Sequence, residues 1–109
     1  MMPTWKLTSP GMDKRIVINT GPLITLARIE AIDLPKDLDL EFLAPEAVRL
    51  ELEAGEQAGY PAIRPDWLDF RSLQTVINPM VLSVLDSGEA AVIQLAMEQT
   101  IGQVCIDEW

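Results

Sequence analysis

The chain has 109 residues, of which 49% are hydrophobic, and its 17 acidic and 8 basic residues give a net charge of -9 at pH 7. This length allows one domain, and no apolar run reaches the roughly 20 residues of a membrane span or forms a signal peptide, so we expect a cytoplasmic protein. The acidic balance argues against broad, charge-driven binding of nucleic acid, and the absence of histidine excludes histidine-based catalysis.

The first predicted strand and helix follow residues 1–14, which contain proline and glycine without periodicity and are expected to form a flexible lead-in. Arg15–Ile18 is a short apolar run typical of a buried strand, and Asn19 stands at its end. After a short turn, a helix is predicted from Pro22 towards Ile32, because proline suits the first helical position and apolar residues recur at helical spacing.

A second strand and helix contain the first unusual carboxylate of the chain. Leu38–Leu43 is predicted to be a strand, and Ala44–Pro45 opens a helix that closes near Gly55. Glu51 lies three residues after Val48, so the helical period predicts that it faces inward with the apolar side chains. A carboxylate in that position needs a cation, a donor or a cleft.

The next segment is predicted to be a loop followed by a weak strand. Gly55–Asp69 contains glycine and proline and is expected to be held in place by Tyr60 and Trp67. Phe70–Val76 is the third strand candidate.

A short helix over Pro79–Leu85 leads into the segment that contains the second unusual carboxylate. Ser87 is the expected N-cap of the next helix, and Asp86 is assigned to the turn before it. Glu89 shares one helical face with the apolar residues that follow it, and is therefore also predicted to face inward.

The last predicted strand is Gln103–Ile106, which ends at Asp107 and Glu108. It contains Cys105, the only cysteine, which cannot form an internal disulfide and is expected to be a buried structural thiol.

Strands alternating with helices predict an α/β fold with a parallel sheet covered on both faces. Ligand sites in such sheets lie beyond the carboxyl ends of the strands, where Asn19, Glu51, Glu89 and Asp107 are expected to meet. Crowded carboxylates repel one another, so one of them keeps a proton unless Mg²⁺ or Mn²⁺ binds there. The pattern favours metal-assisted hydrolysis of a phosphodiester.

Each candidate residue also has an ordinary structural interpretation. Asn19 can cap the turn through its side chain, and Glu89 near a helix start is favoured by the helix dipole. Glu51 can instead pair with an arginine such as Arg28 or Arg71. The acidic pair near the end of the chain can simply be solvated.

Four segments resemble, in order, those of PIN-like domains, and are most similar to the prokaryotic subgroup related to VapC-type toxin ribonucleases. They are IVINTGPLITLA (16–27), APEAVRLEL (44–52), LDSGEAA (85–91) and VCIDE (104–108). The resemblance implies a PIN-like domain over residues 15–109 with a three-layer α/β/α fold. It also implies cleavage of RNA with Mg²⁺ or Mn²⁺ held by acidic residues, a homodimer, and often a cognate antitoxin protein.

The resemblance assigns the metal ligands by position to Asn19, Glu51, Glu89 and Asp107, with Glu108 beside them, and catalysis to the three acids Glu51, Glu89 and Asp107. Asn19 stands where the family has an aspartate, so one negative charge is missing and reduced metal affinity is expected. The family also continues beyond the position of Trp109 with a helix and a strand. Without them, the last strand is expected to be an open edge that can pair with a second chain.

Three functions are compatible with these patterns. The leading hypothesis is a toxin-like, metal-dependent ribonuclease. The second is a PIN-like domain that has lost catalysis and binds a partner such as an antitoxin. The third is a phosphoacceptor signalling domain, which fits the alternation of strands and helices but requires paired acids after the first strand, where Asn19 and Thr20 stand instead.

Overall fold

A computed structural model of the chain describes residues 14–107. The predictions for residues 1–13 and for Glu108 lie outside this part. In chain order, the elements are β1 (Arg15–Ile18), α1 (Thr20–Arg28), a 3₁₀ turn (Leu34–Asp37), β2 (Glu41–Pro45), α2 (Glu46–Gln57), β3 (Leu68–Arg71), α3 (Pro79–Leu82), α4 (Ser87–Glu98) and β4 (Val104–Cys105).

The four strands form one parallel sheet in the order β3-β2-β1-β4. Val17 at the centre of the sheet stands opposite Leu43 on one side and Val104 on the other. Parallel crossovers are right-handed, which places α1 and α2 on one face of the sheet and α4 on the other. The predicted α/β/α fold with a parallel sheet is therefore confirmed.

The core is made by the central strands and the apolar face of α4. Ile18 of β1, Phe42 of β2, and Val92 and Leu95 of α4 are buried. The buried run in β1 shows no polar alternation because helices cover both faces of the sheet. No helix within residues 14–107 is long and apolar enough to cross a membrane.

β3 lies earlier than the predicted strand Phe70–Val76. It spans Leu68–Arg71, where Leu68 stands opposite Phe42 of β2. Trp67 fixes this register, since its ring meets Phe42 edge-on at 5.1 Å and its indole N–H donates to the Ile32 carbonyl at 2.9 Å. Tyr60 does not hold the loop in place as predicted, because its side chain is 67% exposed.

The other predicted boundaries shift by a few residues. β2 extends to Pro45, so α2 begins only at Glu46, and α2 runs through Gly55 to Gln57. Helix α1 begins at Thr20, before Pro22. The last strand is shorter than predicted, α3 ends three residues earlier, and α4 is capped one residue before the predicted N-cap.

Candidate functional site

A cleft of about 430 Å³ opens at the carboxyl edge of the sheet, where α1 and α2 on one face meet the start of α4 from the other. β1 ends here, and the backbone N–H of Asn19 donates to the Cys105 carbonyl at 3.0 Å, which ties the residue after β1 to β4. The cleft is lined by Asn19, Thr20, Gly21, Ile24, Glu51, Asp86, Ser87 and Gly88.

Gly88 in the first turn of α4 is the point on which three oxygen atoms converge. A Cβ atom added to Gly88 would lie 2.8 Å from Glu51 Oε1, 3.4 Å from Asp86 Oδ1 and 3.6 Å from Asn19 Oδ1. The three side chains come from different elements of the chain. Glycine leaves the space between them free, and any side chain at position 88 would occupy it.

Asn19 presents a buried oxygen atom that has no hydrogen-bond partner among residues 14–107. The residue occupies the N-cap position of α1 but makes no side-chain cap bond there, so its interpretation as a turn cap is wrong. In the same described range its Oδ1 is buried without a partner, as is Oγ1 of Thr20. An unsatisfied buried polar atom costs about 1–3 kcal/mol. A cation or donor that entered the cleft would remove this cost.

Glu51 points into the cleft. The helical period had predicted that it packs inward with the apolar side chains, and this prediction is wrong. Its neighbours Val48 and Leu52 are the buried residues of α2, whereas Glu51 itself is exposed. Within residues 14–107 it makes no hydrogen bond or ion pair. The predicted partner Arg71 pairs with Asp69 at 2.7 Å, and Arg28 lines the neighbouring groove without contacting the carboxylate.

Asp86 and Glu89 form a pair of adjacent carboxyl groups at the start of α4. Asp86, rather than Ser87, is the N-cap, and its Oδ1 accepts the Glu89 backbone N–H at 2.8 Å. That bond, together with one from the Glu89 side chain, lowers the pKa of Asp86.

Asp86 is the cleft residue that sequence reasoning missed, because it was assigned to the turn alone. The signal was present as Asp86-x-x-Glu89, the spacing of a capping box. Glu89 is half-buried and reaches the cleft through Asp86, and does not itself belong to its lining.

Asp107 follows β4 and lies against Gly21 in the first turn of α1. Its carboxylate contacts the position that a Cβ atom of Gly21 would occupy, with its Cγ 3.0 Å away. Gly21 lines the cleft, whereas Asp107 beside it is not among the lining residues. Cys105 is buried as predicted, and this burial together with the charge of Asp107 raises the pKa of its thiol to about 12.

The donor atoms at Gly88 suit a hard divalent cation, since all of them are carboxylate or amide oxygens. No three acidic, cysteine or histidine side chains within the described range are grouped so that they could hold a metal ion by themselves. An ion here would therefore use Glu51, Asp86, the amide oxygen of Asn19 and water. That set fits Mg²⁺ or Mn²⁺, which bind through one or two carboxylates and keep several waters.

Comparison with known protein families identifies the family of the chain. A model of the family DUF3368, described as a PIN domain, matches residues 15–109. No curated protein and no solved structure matches the chain. PIN domains typically use divalent metal ions and act on RNA, in agreement with the oxygen donors of the cleft. The chain therefore belongs to the PIN domain family, and this membership indicates a nuclease.

Proposed function

We propose that this chain is a ribonuclease that hydrolyses RNA phosphodiesters at the cleft, with Mg²⁺ or Mn²⁺ as its cofactor. The observation that carries the proposal is the convergence of Asn19 Oδ1, Glu51 Oε1 and Asp86 Oδ1 on Gly88. These three atoms would hold the ion, which when bound would lower the pKa of a water molecule and offset charge on the phosphate.

The neighbouring side chains have distinct parts in this proposal. Asp86, whose pKa is lowered below its ordinary value, offers a charged oxygen at neutral pH. Glu89 follows it in the first turn of α4 and would serve as an acid or base near the leaving oxygen. Asp107 adds negative charge beside Gly21 and helps to attract the ion. We retain Glu51, Glu89 and Asp107 as the proposed catalytic acids.

The proposal extends to a toxin-like role, in which an antitoxin protein controls the nuclease in the cytoplasm. The support for it is the likeness of the four segments to the VapC-type subgroup. A homodimer is part of the same proposal, since β4 stands at one edge of the sheet in the part of the chain that the structure describes. Sedimentation of the purified protein as a monomer at working concentration would remove the homodimer from the proposal.

The central experiment is an RNA cleavage assay with Mn²⁺ on the unchanged protein and on Glu51→Gln. We expect the variant to lose at least about 100-fold in rate, because an amide is a weaker metal ligand and removes one charge. Glu53→Gln is the matched control, since it changes the same helix on a face that pairs with Arg49 at 2.8 Å. Cleavage that survives both Glu51→Gln and a chelator would refute the proposal. Tight Mn²⁺ binding without any cleavage would favour a partner-binding PIN domain instead.

A further inference from the structure

The cations of the described chain are almost all engaged with protein oxygens. Arg28, at the last residue of α1, is the exception within residues 14–107: it makes no ion pair or hydrogen bond there. The others contact these partners: Lys14 with Asp39, Lys36 with Asp66, Arg49 with Glu46 and Glu53, Arg64 with Glu56, Arg71 with Asp69, and Arg15 with the Thr100 carbonyl. Among the cations of residues 14–107, Arg28 is thus the one most available to an anionic ligand.

Arg28 lies on an apolar groove of about 290 Å³ between α1, α2 and the loop after α2. The groove adjoins the cleft, because Ile24 and Glu51 line both. Tyr60 stands on its rim with 67% of its side chain exposed, and Pro61 lies beside it. Within residues 14–107, this groove therefore brings together an exposed aromatic ring and a guanidinium without an ion pair, in a chain of net charge -9.

We propose that this groove binds one nucleotide of single-stranded RNA next to the bond that is cleaved, with Arg28 on a phosphate and Tyr60 stacked on the base. This inference rests on the proposed function, since the groove is expected to hold the strand that enters the cleft. Its volume, close to the lower limit of about 300 Å³ for small-molecule sites, suits a single nucleotide.

The chemistry favours RNA over a protein segment as the occupant. Guanidinium groups bind phosphate with two parallel hydrogen bonds, and every base offers a face for stacking on an aromatic ring. The cleft beside Glu51 carries several acidic groups, which would repel a phosphate unless a cation draws it in. Arg28 supplies such a cation in the groove beside the cleft, where it would hold a phosphate of the strand.

The test is the affinity of a short fluorescent single-stranded RNA, measured by anisotropy at low salt in the presence of a chelator, so that binding is read without cleavage. We expect Arg28→Gln to weaken binding about tenfold and to reduce the salt dependence by about 0.7 in log–log slope, the value for one phosphate contact on a single strand. Arg64→Gln is the matched control, since it removes the same charge from an exposed pair with Glu56 and is expected to change affinity less than about twofold.

Tyr60 is tested separately in the same assay. Tyr60→Leu removes the ring and is expected to weaken binding about tenfold, whereas Tyr60→Phe keeps the ring and should bind like the unchanged protein. Both residues are exposed, so thermal unfolding of the variants should match that of the unchanged protein.

The two proposals fail in different ways. If Glu51→Gln abolishes Mn²⁺-dependent cleavage while Arg28→Gln and Tyr60→Leu leave RNA affinity unchanged, the groove proposal is overturned and the nuclease stands. If the variants weaken binding as expected but no cleavage is found, the nuclease proposal fails and the groove is retained as an RNA site.

If the same variants change sedimentation and not RNA affinity, the groove is an interface between protein chains and the groove proposal is overturned. Undetectable RNA binding by the unchanged protein overturns it as well.

Discussion

Glu51 on α2 and Glu98 at the end of α4 are glutamates with opposite surroundings. The carboxylate of Glu98 accepts the backbone N–H groups of Gln74 at 2.8 Å and Thr75 at 2.9 Å, and the Thr75 hydroxyl at 2.6 Å. Glu51 has no such partner in the described part of the chain, although it lies beside the buried oxygen of Asn19. Both residues are simply acidic positions on helices when only the sequence is considered.

The difference separates a carboxylate that stabilises the fold from one that is available to a ligand. The oxygens of Glu98 are occupied by donors from residues 74–75, so this side chain holds the segment after β3 against α4. The oxygens of Glu51 face the cleft. The space beside them is free because residue 88 is a glycine and has no side chain. We therefore expect changes at Glu98 to affect stability and changes at Glu51 to affect activity.

The largest effect should come from exchanging the two glutamates separately for glutamine. Glu51→Gln is expected to lose most of the Mn²⁺-dependent cleavage and to keep the free energy of unfolding, since no contact within the described chain is lost. Glu98→Gln should keep cleavage within about twofold but unfold at lower denaturant, because charged acceptors make stronger hydrogen bonds than neutral ones. Cleavage rates and denaturant unfolding curves of both variants would show whether one change affects activity and the other stability. If Glu51→Gln destabilises more than Glu98→Gln, the comparison is wrong.

Gly88→Ala tests whether the space between the oxygens matters. The new Cβ would stand 2.8 Å from Glu51 Oε1, so the flexible end of that side chain must move away. We expect cleavage to fall about tenfold with little change in stability, since alanine is also the better helix former.

Gly55→Ala is the matched glycine on α2, where a Cβ would meet nothing within 4 Å. This control leaves the three oxygens of the cleft in place, so it should keep the affinity for Mn²⁺ and gain up to about 1 kcal/mol in stability from helix propensity. Since Gly55 also lines the groove beside Arg28, the two glycine variants are compared in Mn²⁺ affinity, and equal affinity would show that the cleft does not use the space beside Glu51.

The parts of the fold that depend on local pattern were predictable, and the site was predictable only in outline. The buried run before Asn19 located β1, and the rule for parallel sheets located the edge where the cleft lies. The direction of Glu51 was not predictable, because the helical period gives a face of α2 but does not reveal that α4 leaves an open space opposite it. Glycine at position 88 makes that space, from 37 residues further along the chain.

Long-range contacts also decided where β3 ends. The sequence Phe70–Val76 has strand-like composition, but Gln74 and Thr75 give their backbone N–H groups to Glu98, more than 20 residues away. Those donors are then not available to a strand ladder. Trp67 fixes the start of β3 by its contact with Phe42. Neither contact leaves a local signal in the sequence.

Asn19→Asp adds the negative charge that is missing at the cleft. Without metal, the new carboxylate stands close to Asp86 and Glu51, and we expect lower stability from repulsion. With Mn²⁺ the same charge becomes a better ligand, and affinity for the ion should rise on the order of tenfold. Calorimetric titration and unfolding with and without Mn²⁺ would measure both. A variant that gains no affinity for Mn²⁺ would argue against Asn19 as a ligand.

The smallest effect concerns the pH dependence of the Glu98 contacts. Hydrogen bonds from Gln74 and Thr75 lower the pKa of Glu98 from its ordinary 4.5 to about 2. The folded pKa lies below the unfolded one, so the contribution of Glu98 to stability is complete above pH 4.5 and is lost as pH falls towards 2. The difference in unfolding free energy between the unchanged protein and Glu98→Gln should therefore be largest near neutral pH and shrink over this window, as denaturant curves at several pH values would show. A difference that stays constant down to pH 2 would mean that the ionised carboxylate is not what holds residues 74–75 against α4.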